Sequence, residues 1–468
     1  MGLFSERRRR WRQRHTLCLL VGAWLVGALG CKTFVDSTVR TRTALDVNAL
    51  DDALSASNAA LGVKRADEIP AALKRNDALL LLDRAMVLQA LADYSASSRD
   101  FEVADKAIEI LDFSRSTAHE ISRYLFSDSV GPYKARPYEK LLLNSLNMIN
   151  YLVRHDLEGA KVEARRFTVM RDYLLRDEGD GRREIGRADA PGSYLAGYTF
   201  EQAGDPEEAL RYYDEALQSD KFPSLAEPVK RLMRRSGYRT PRLEASAQGI
   251  VGPSPSPEQS GDCELTILVN YGRVPAMVAK RVPIGVALTI SAIFLPPGAE
   301  QQARRLAGQG LVTWVNYPEL EPTRARYNPP VITVDGAVRP FEMVANVDAI
   351  VQRAWDQSKG RVIAAAVIRM LARAAVGAGV GVATGKASDQ SSLGVLAALI
   401  AQGAMVAADK PDTRSWATLP ARISLVRTRL PAGAHRVEVN VSGRRYVRNV
   451  TIAPAQWMVL NITDLSTT

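Results

Sequence analysis

The 468-residue chain has three cysteines, Cys18, Cys31 and Cys263, and four histidines. So few thiols exclude a disulfide framework and a cysteine-built metal site. Beyond the first thirty residues only His119, His155 and His435 remain, scattered and without H-x-x-x-H spacing, which argues against a zinc or histidine-triad centre. No G-x-S-x-G occurs, and no serine or carboxylate pair stands out as catalytic. Gly381–Lys386 ends in Gly-Lys, but Val380 stands where a phosphate loop needs its first glycine and Ala387 replaces the metal-binding hydroxyl. Gly377-x-Gly379-x-x-Val382 likewise departs from the dinucleotide fingerprint, and Asp177–Asp180 lacks calcium-loop spacing. The expectation is a protein without cofactor, metal or catalytic residue: a binding protein and not an enzyme.

A basic surface for nucleic acid is also missing. The net charge is +10, but half of it is local, because Arg7, Arg8, Arg9, Arg10, Arg12 and Arg14 face only Glu6 in residues 1–30. The rest of the chain carries no basic stripe with interleaved aromatics, so no nucleic-acid partner is expected. With 46% hydrophobic and 24% charged residues the chain has an ordinary folded composition, and its length predicts two or three domains.

What is present begins with an address. Residues 1–16 are cationic and residues 17–29 form an uncharged apolar run ending at Gly30 and Cys31, the layout of a secretory signal. The run falls short of the ~20 apolar residues that span a bilayer. Ala28-Leu29-Gly30-Cys31 resembles a bacterial lipobox, which implies cleavage after residue 30 and a lipid on Cys31. With Lys32 and not aspartate next, the resemblance implies the outer membrane, facing the periplasm. Ala28 stands where such boxes more often have leucine, so a plain signal peptide or an uncleaved anchor is the competing reading. Arg8-Arg9 raises a twin-arginine route that its neighbours fit poorly. A lipidated Cys31 leaves Cys263 without a disulfide partner, packed at the start of a strand.

After a tether at 31–49, residues 50–240 show apolar positions recurring at three and four, the pattern of helices. Ala196-Gly197-x-x-Phe200, Gly204-Asp205 and Ala209-x-x-x-Tyr213-x-x-Ala216 follow the tetratricopeptide (TPR) pattern. Gly197 and Ala209 would let two helices approach closely, while Phe200 and Tyr213 fill the space between neighbouring pairs. Ser193 stands where that pattern has tryptophan. Two looser units precede it: Leu141–Met170, with His155-Asp156 at its turn, and Ala78–Leu111, with Arg99-Asp100 at its turn. A non-repeating bundle is the alternative. Such solenoids offer a concave face to partner proteins, which makes Phe200 and Tyr213 binding candidates.

Residues 241–262 are rich in Ser, Pro and Gly and read as a linker. Residues 263–468 predict a β domain: strands at Glu264–Gly272, Val331–Val334, Ile423–Thr428, His435–Val441, Arg444–Ile452 and Gln456–Ile462, joined by turns that suit an antiparallel sandwich. Within it, about residues 347–408 read as an inserted helical hairpin whose arms, Val362–Gly385 and Ser391–Ala408, are rich in Ala, Gly and Val. Arg369 and Arg373 favour a buried hairpin over bilayer insertion. The expected fold class is therefore α+β.

Two stretches resemble a family of uncharacterised bacterial lipoproteins with TPR-like N-terminal halves. They are Tyr138-Glu-Lys-Leu-Leu-Leu-Asn144, continued by Asp156–Arg166, and Ala408–Pro420, followed by Leu430-Pro-Ala-Gly433. The resemblance implies location and architecture and brings no activity; Lys410-Pro411, inserted between Asp409 and Asp412, departs from its pattern. In the second stretch Asp412, Arg414 and Trp416 have two readings, a charge pair and indole capping the returning chain, or an exposed partner-binding tip. The functional expectation is a lipid-anchored envelope scaffold that binds other envelope proteins, in cell-wall or surface-polymer assembly. The alternatives are a small-ligand-binding protein or enzyme with a pocket between sheet and hairpin, and a membrane-inserting subunit built on residues 362–408.

Overall fold

Three helix–turn–helix pairs are built on the same turn. α3 (Asp77–Ala90) is followed by α4 (Tyr94–Phe113), α5 (Pro137–Val153) by α6 (Leu157–Arg176), and α7 (Ala190–Gln202) by α8 (Pro206–Ser219) in a computed structural model. It describes residues 38–113, 132–176, 187–248, 263–310, 313–322, 327–383 and 410–467. Each first helix ends on a left-handed residue, Ala92 (φ 63), His155 (φ 58) or Gly204 (φ 79). The next N–H, of Asp93, Asp156 or Asp205, returns to the carbonyl of Leu88, Tyr151 or Phe200, each at 2.9 Å, closing a Schellman-type end. The same aspartate then caps the second helix: Asp93, Asp156 and Asp205 accept from the N–H of Ala96 (3.0 Å), Gly159 (2.9 Å) and Glu208 (3.2 Å). One residue therefore closes one helix and opens the next.

The first turn differs from the sequence expectation. It lies at Ala92-Asp93, whereas Asp100 sits mid-helix in α4 and is buried, its carboxylate 2.6 Å from the Arg84 guanidinium. Within the third pair the close approach predicted at Gly197 is present, since a Cβ there would stand 2.4 Å from Cδ1 of Tyr213. Phe200 and Tyr213 pack inside this pair and not between pairs: Phe200 stacks on Tyr212 at 5.4 Å, and Tyr213 meets Tyr194 edge-on at 6.0 Å.

Helices α3, α5 and α7 are buried on nearly every side, because α4, α6 and α8 cover one face and a β-sheet covers the other. That sheet has strand order β10-β1-β7-β6, with β1 (Cys263–Tyr271), β6 (Glu342–Asn346), β7 (Arg422–Leu430) and β10 (Trp457–Asp464). β1 lies antiparallel to β7, but its other neighbour β10 is parallel, so the expected all-antiparallel sheet is mixed. A second sheet, β5-β4-β8-β9, packs on the outer face through β4 (Val331–Val334), β5 (Ala337–Arg339), β8 (Gly433–Val441) and β9 (Arg444–Ile452). The period of two in β1 sorts its side chains: Cys263, Leu265, Ile267, Val269 and Tyr271 face the second sheet, while Leu268 and Asn270 face the helices. Cys263 is buried and its thiol donates to the Leu430 carbonyl at 3.3 Å.

The helical and β halves share one core. Leu268, Val344, Ile423, Leu425 and Val459 belong to the same apolar cluster as Leu81, Leu142 and Tyr194. Segments expected as tether and linker also pack. Residues 38–46 form helix α1, with Leu45 fully buried, and α2 (Leu50–Leu61) follows. α9 (Ala226–Met233) leads to α10 (Pro241–Gln248), whose Arg242 donates to Asp214 at 2.8 Å, so the first eight residues of the expected linker are a docked helix. A smaller lobe joins β2 (Met277–Pro283) and β3 (Trp314–Leu320) to α11 (Ile284–Ser291), α12 (Ala299–Gly308) and the 37-residue α13 (Val347–Ala383) around Trp355, Tyr317 and Ile363. The first arm of the expected hairpin lies on α13 as far as Ala383. The second arm, Cys31 with the address that precedes it, and residues 249–262 lie outside the described residues.

Candidate functional site

The face of α3, α5 and α7 that a solenoid would offer to a partner is filled by the chain's own sheet. Many of its polar groups are met internally, although the Tyr198 hydroxyl, Thr266 Oγ1 and Asn270 Oδ1 are buried there without a hydrogen-bond partner among the described residues. Asn270 on β1 donates to Asn461 on β10 (3.0 Å) and to Gln89 on α3 (3.3 Å); Gln89 donates to Asn150 on α5 (2.8 Å), which donates to Ser97 (2.9 Å). Nearby, Arg427 on β7 points into the third pair and donates to Glu201 (2.7 Å), Glu264 (3.0 Å) and the Tyr213 hydroxyl (3.1 Å). Burial opposes the Glu201 charge, but Arg427 and Arg231 outweigh it and hold that carboxyl below its usual range. Glu264 goes the other way, pushed up by burial and then by the Glu201 charge. A buried cation between two carboxylates fixes the orientation of sheet on helices.

The sequence-derived binding candidates fall within this packed interior. Phe200 and Tyr213 are buried, and the Tyr213 hydroxyl is engaged by Glu201 and Arg427. Trp416 is 1% exposed, edge-on to Phe101 at 5.9 Å, with its indole N–H donating to Thr418 at 3.0 Å. Its backbone N–H donates to Glu139 at 3.0 Å, a carboxylate that also caps α5 through the Arg136 N–H (2.7 Å) and accepts the Tyr133 hydroxyl (2.6 Å). Arg414 donates to Asp412 (2.6 and 2.8 Å) and reaches Asn76 at the start of α3 (2.9 Å). Asp412, Arg414 and Trp416 thus plug the loop before β7 onto the helical half; the exposed-tip reading fails because the loop is covered. The charge pair has the predicted form, though the indole wedges on helices and not on the sheet.

Thr418 continues this cluster by donating to Asp83 on α3 at 2.7 Å. Burial pushes the Asp83 carboxyl up to about 7, against the opposing effects of the Thr418 hydrogen bond, Arg42 and Arg273. Sequence reading missed Asp83, Glu139 and Arg427, because each looks like a surface charge until a distant segment covers it.

What remains open is the outer helical layer. A groove of about 340 Å³ is lined by Asp105 of α4, Asn144 of α5 and Val162, Arg165, Arg166, Val169 and Met170 of α6. Arg166 lies 3.6 Å from Asp105 and 3.3 Å from Glu163, which accepts from Asn144 at 3.0 Å. Burial raises the Glu163 carboxyl to about 7, opposed by Asn144 and Arg166 and reinforced by Asp105 and Glu102. The outward face of α6 carries Val162 and Val169 (69% exposed), which also line the groove, and Tyr173, at a spacing of seven and four with Arg165 and Arg166 between the two valines, on a helix whose opposite face is already packed. Arg165 is exposed and forms no ion pair among the described residues. Comparison with protein families, with characterised proteins and with solved structures finds no match.

The chemistry of the groove suits recognition. It offers apolar contact, two guanidinium groups and the Asp105 carboxyl, with the buried Glu163 behind Arg166 and outside the lining. Among the described residues no cluster of three or more His, Cys, Asp or Glu could hold a metal ion, and no helix is long and apolar enough to cross a membrane.

Proposed function

We propose that the protein is a lipid-anchored envelope scaffold that binds another protein through the α4–α6 groove and the adjoining stripe of α6. The observation that carries the reading is the stripe Val162, Val169 and Tyr173: large apolar side chains left in solvent next to Arg165 and Arg166. Exposed apolar surface rimmed by charge marks interaction sites in soluble folds. The occupant it fits is an amphipathic segment with an apolar face and acidic residues, pairing first with Arg165, since Arg166 already meets Asp105 and Glu163. The anchor rests on the lipobox resemblance at Cys31, and the three repeated turns support a TPR-like descent for the helical half, whose solenoid face now holds the sheet. The partner surface is therefore the outer layer, not the concave one.

The test is site-specific photocrosslinking from position 169 in intact cells, with position 338 on β5, an exposed site on the opposite layer, as reference. A partner crosslinked from 169, absent from 338 and lost on Arg165→Glu with Arg166→Glu, supports the reading. Equal crosslinking from both positions refutes it.

A further inference from the structure

The small lobe carries a second exposed apolar surface that the scaffold reading does not use. α11 and the 3-10 turn after it, Ala292–Phe294, read Ile-Gly-Val-Ala-Leu-Thr-Ile-Ser-Ala-Ile-Phe, apolar on both faces. The inward face, Ile284, Ala287 and Leu288, packs on Trp355 and Ile363 of α13. The outward face presents Val286, Ile290 and Ile293 at a spacing of four and three, and Ile293, just ahead of Leu295-Pro-Pro297, is 85% exposed. No described element covers it. Beside the start of α11, Trp314 pairs with Pro283 across β2 and β3, is 42% exposed, and lies under the Arg281 guanidinium, 5.3 Å from its ring centre.

We propose that this surface inserts into an anionic bilayer. A side chain as exposed as Ile293 protrudes and forms no groove, which suits insertion among acyl chains better than the seating of a protein segment. An indole beside a guanidinium suits the boundary between acyl chains and headgroups, where amphipathic rings and basic side chains settle. The charge agrees: residues 277–320 carry Lys280, Arg281, Arg304 and Arg305 against Glu300 and Glu319, and Arg281 and Arg305 form no ion pair among the described residues. Amphipathic elements with apolar tips and basic flanks bind membranes through apolar burial plus attraction to anionic lipid. The envelope reading enters only in supplying a bilayer within reach.

The experiment uses the full chain, with an environment-sensitive fluorophore on Ile293→Cys and, in a second preparation, on Val338→Cys of β5, each reconstituted with phosphatidylcholine vesicles with or without phosphatidylglycerol. The expected result is a blue shift and quenching by brominated acyl chains at position 293 with phosphatidylglycerol present, and no change at 338. Arg281→Gln moves the inserted-to-wet ratio about fivefold toward water. A label at 293 that stays in water with both vesicle types overturns the proposal, as does one shielded without lipid by a second copy of the chain. Acylation of Cys31, read separately by mass spectrometry, keeps the two claims apart: an anchored chain with a wet 293 loses this inference alone, and an unacylated chain with an inserted 293 loses the anchor alone.

Discussion

Replacing Asp83 by Asn tests the buried interface between helices and sheet. Asp83 lies under the Trp416 loop and accepts a hydrogen bond from Thr418, and burial lifts its carboxyl to about 7, compared with ~3.9 in an unfolded chain. Between those values the folded protein holds a proton that the unfolded chain has released. The stability from this site is therefore full below about pH 4 and is lost as pH rises through about 7. Three pH units at ~1.4 kcal/mol each set a ceiling of about 4 kcal/mol for that loss. The amide that Asp83→Asn introduces keeps the acceptor for Thr418 and has no charge to desolvate. Urea unfolding across pH 4 to 8 should show the variant matching the wild type at the acid end and exceeding it by up to that ceiling at the alkaline end. Glu163, also lifted to about 7, adds a second proton to the wild-type slope, so the pair Asp83→Asn with Glu163→Gln should make the profile shallower than Asp83→Asn alone. An Asp83→Asn variant less stable than wild type at pH 8 refutes the reasoning and means that Arg42 and Arg273 hold Asp83 ionised.

Arg427→Met should cost about 3–5 kcal/mol, because it strands Glu201 and Glu264 in the interior, and adding Glu201→Gln and Glu264→Gln should restore part of the loss in denaturant melts. Gly197→Ala places a methyl 2.4 Å from a buried Tyr213 ring atom and should lower stability by about 1–3 kcal/mol, with Tyr213→Leu relieving it in the double variant. Trp416→Ala opens a cavity beside Phe101 and should cost about 3–5 kcal/mol by thermal or urea unfolding. Tyr173→Asp, on the solvent face of α6, should leave the melting temperature within error of wild type while abolishing the crosslink from position 169; a drop in stability would mean that the stripe is packed.

Helices were legible because their apolar periodicity is local, and so were the turns at His155-Asp156 and Gly204-Asp205, where the capping aspartate is in sequence. Ala92-Asp93 escaped because alanine rarely takes positive φ, and Arg99-Asp100 imitated the signal seven residues later. Four strands at the C-terminus showed alternation or turn residues, whereas β2, β3, β5 and β6 are short or carry Pro and charge. The parallel pairing of β1 with β10 joins residues nearly two hundred positions apart and leaves no local trace. The same limit hid the sites. Arg427 reads as a solvent-facing strand residue until Glu201 and Glu264 meet it, and the α4–α6 groove exists only once two helices separated by α5 are side by side. Phe200, Tyr213 and Trp416 stood out in sequence because they are large and patterned, which is what a core needs as well as what a partner needs.

The central claim is that the outer helical layer, held at a membrane by Cys31, is where a partner binds. The most direct measurement is mass spectrometry of the native protein captured from membranes, wild type beside Arg165→Glu with Arg166→Glu. The account predicts an acylated Cys31 and an envelope protein that accompanies the wild type and is lost from the variant. An unmodified Cys31, or the same companions in both samples, contradicts it.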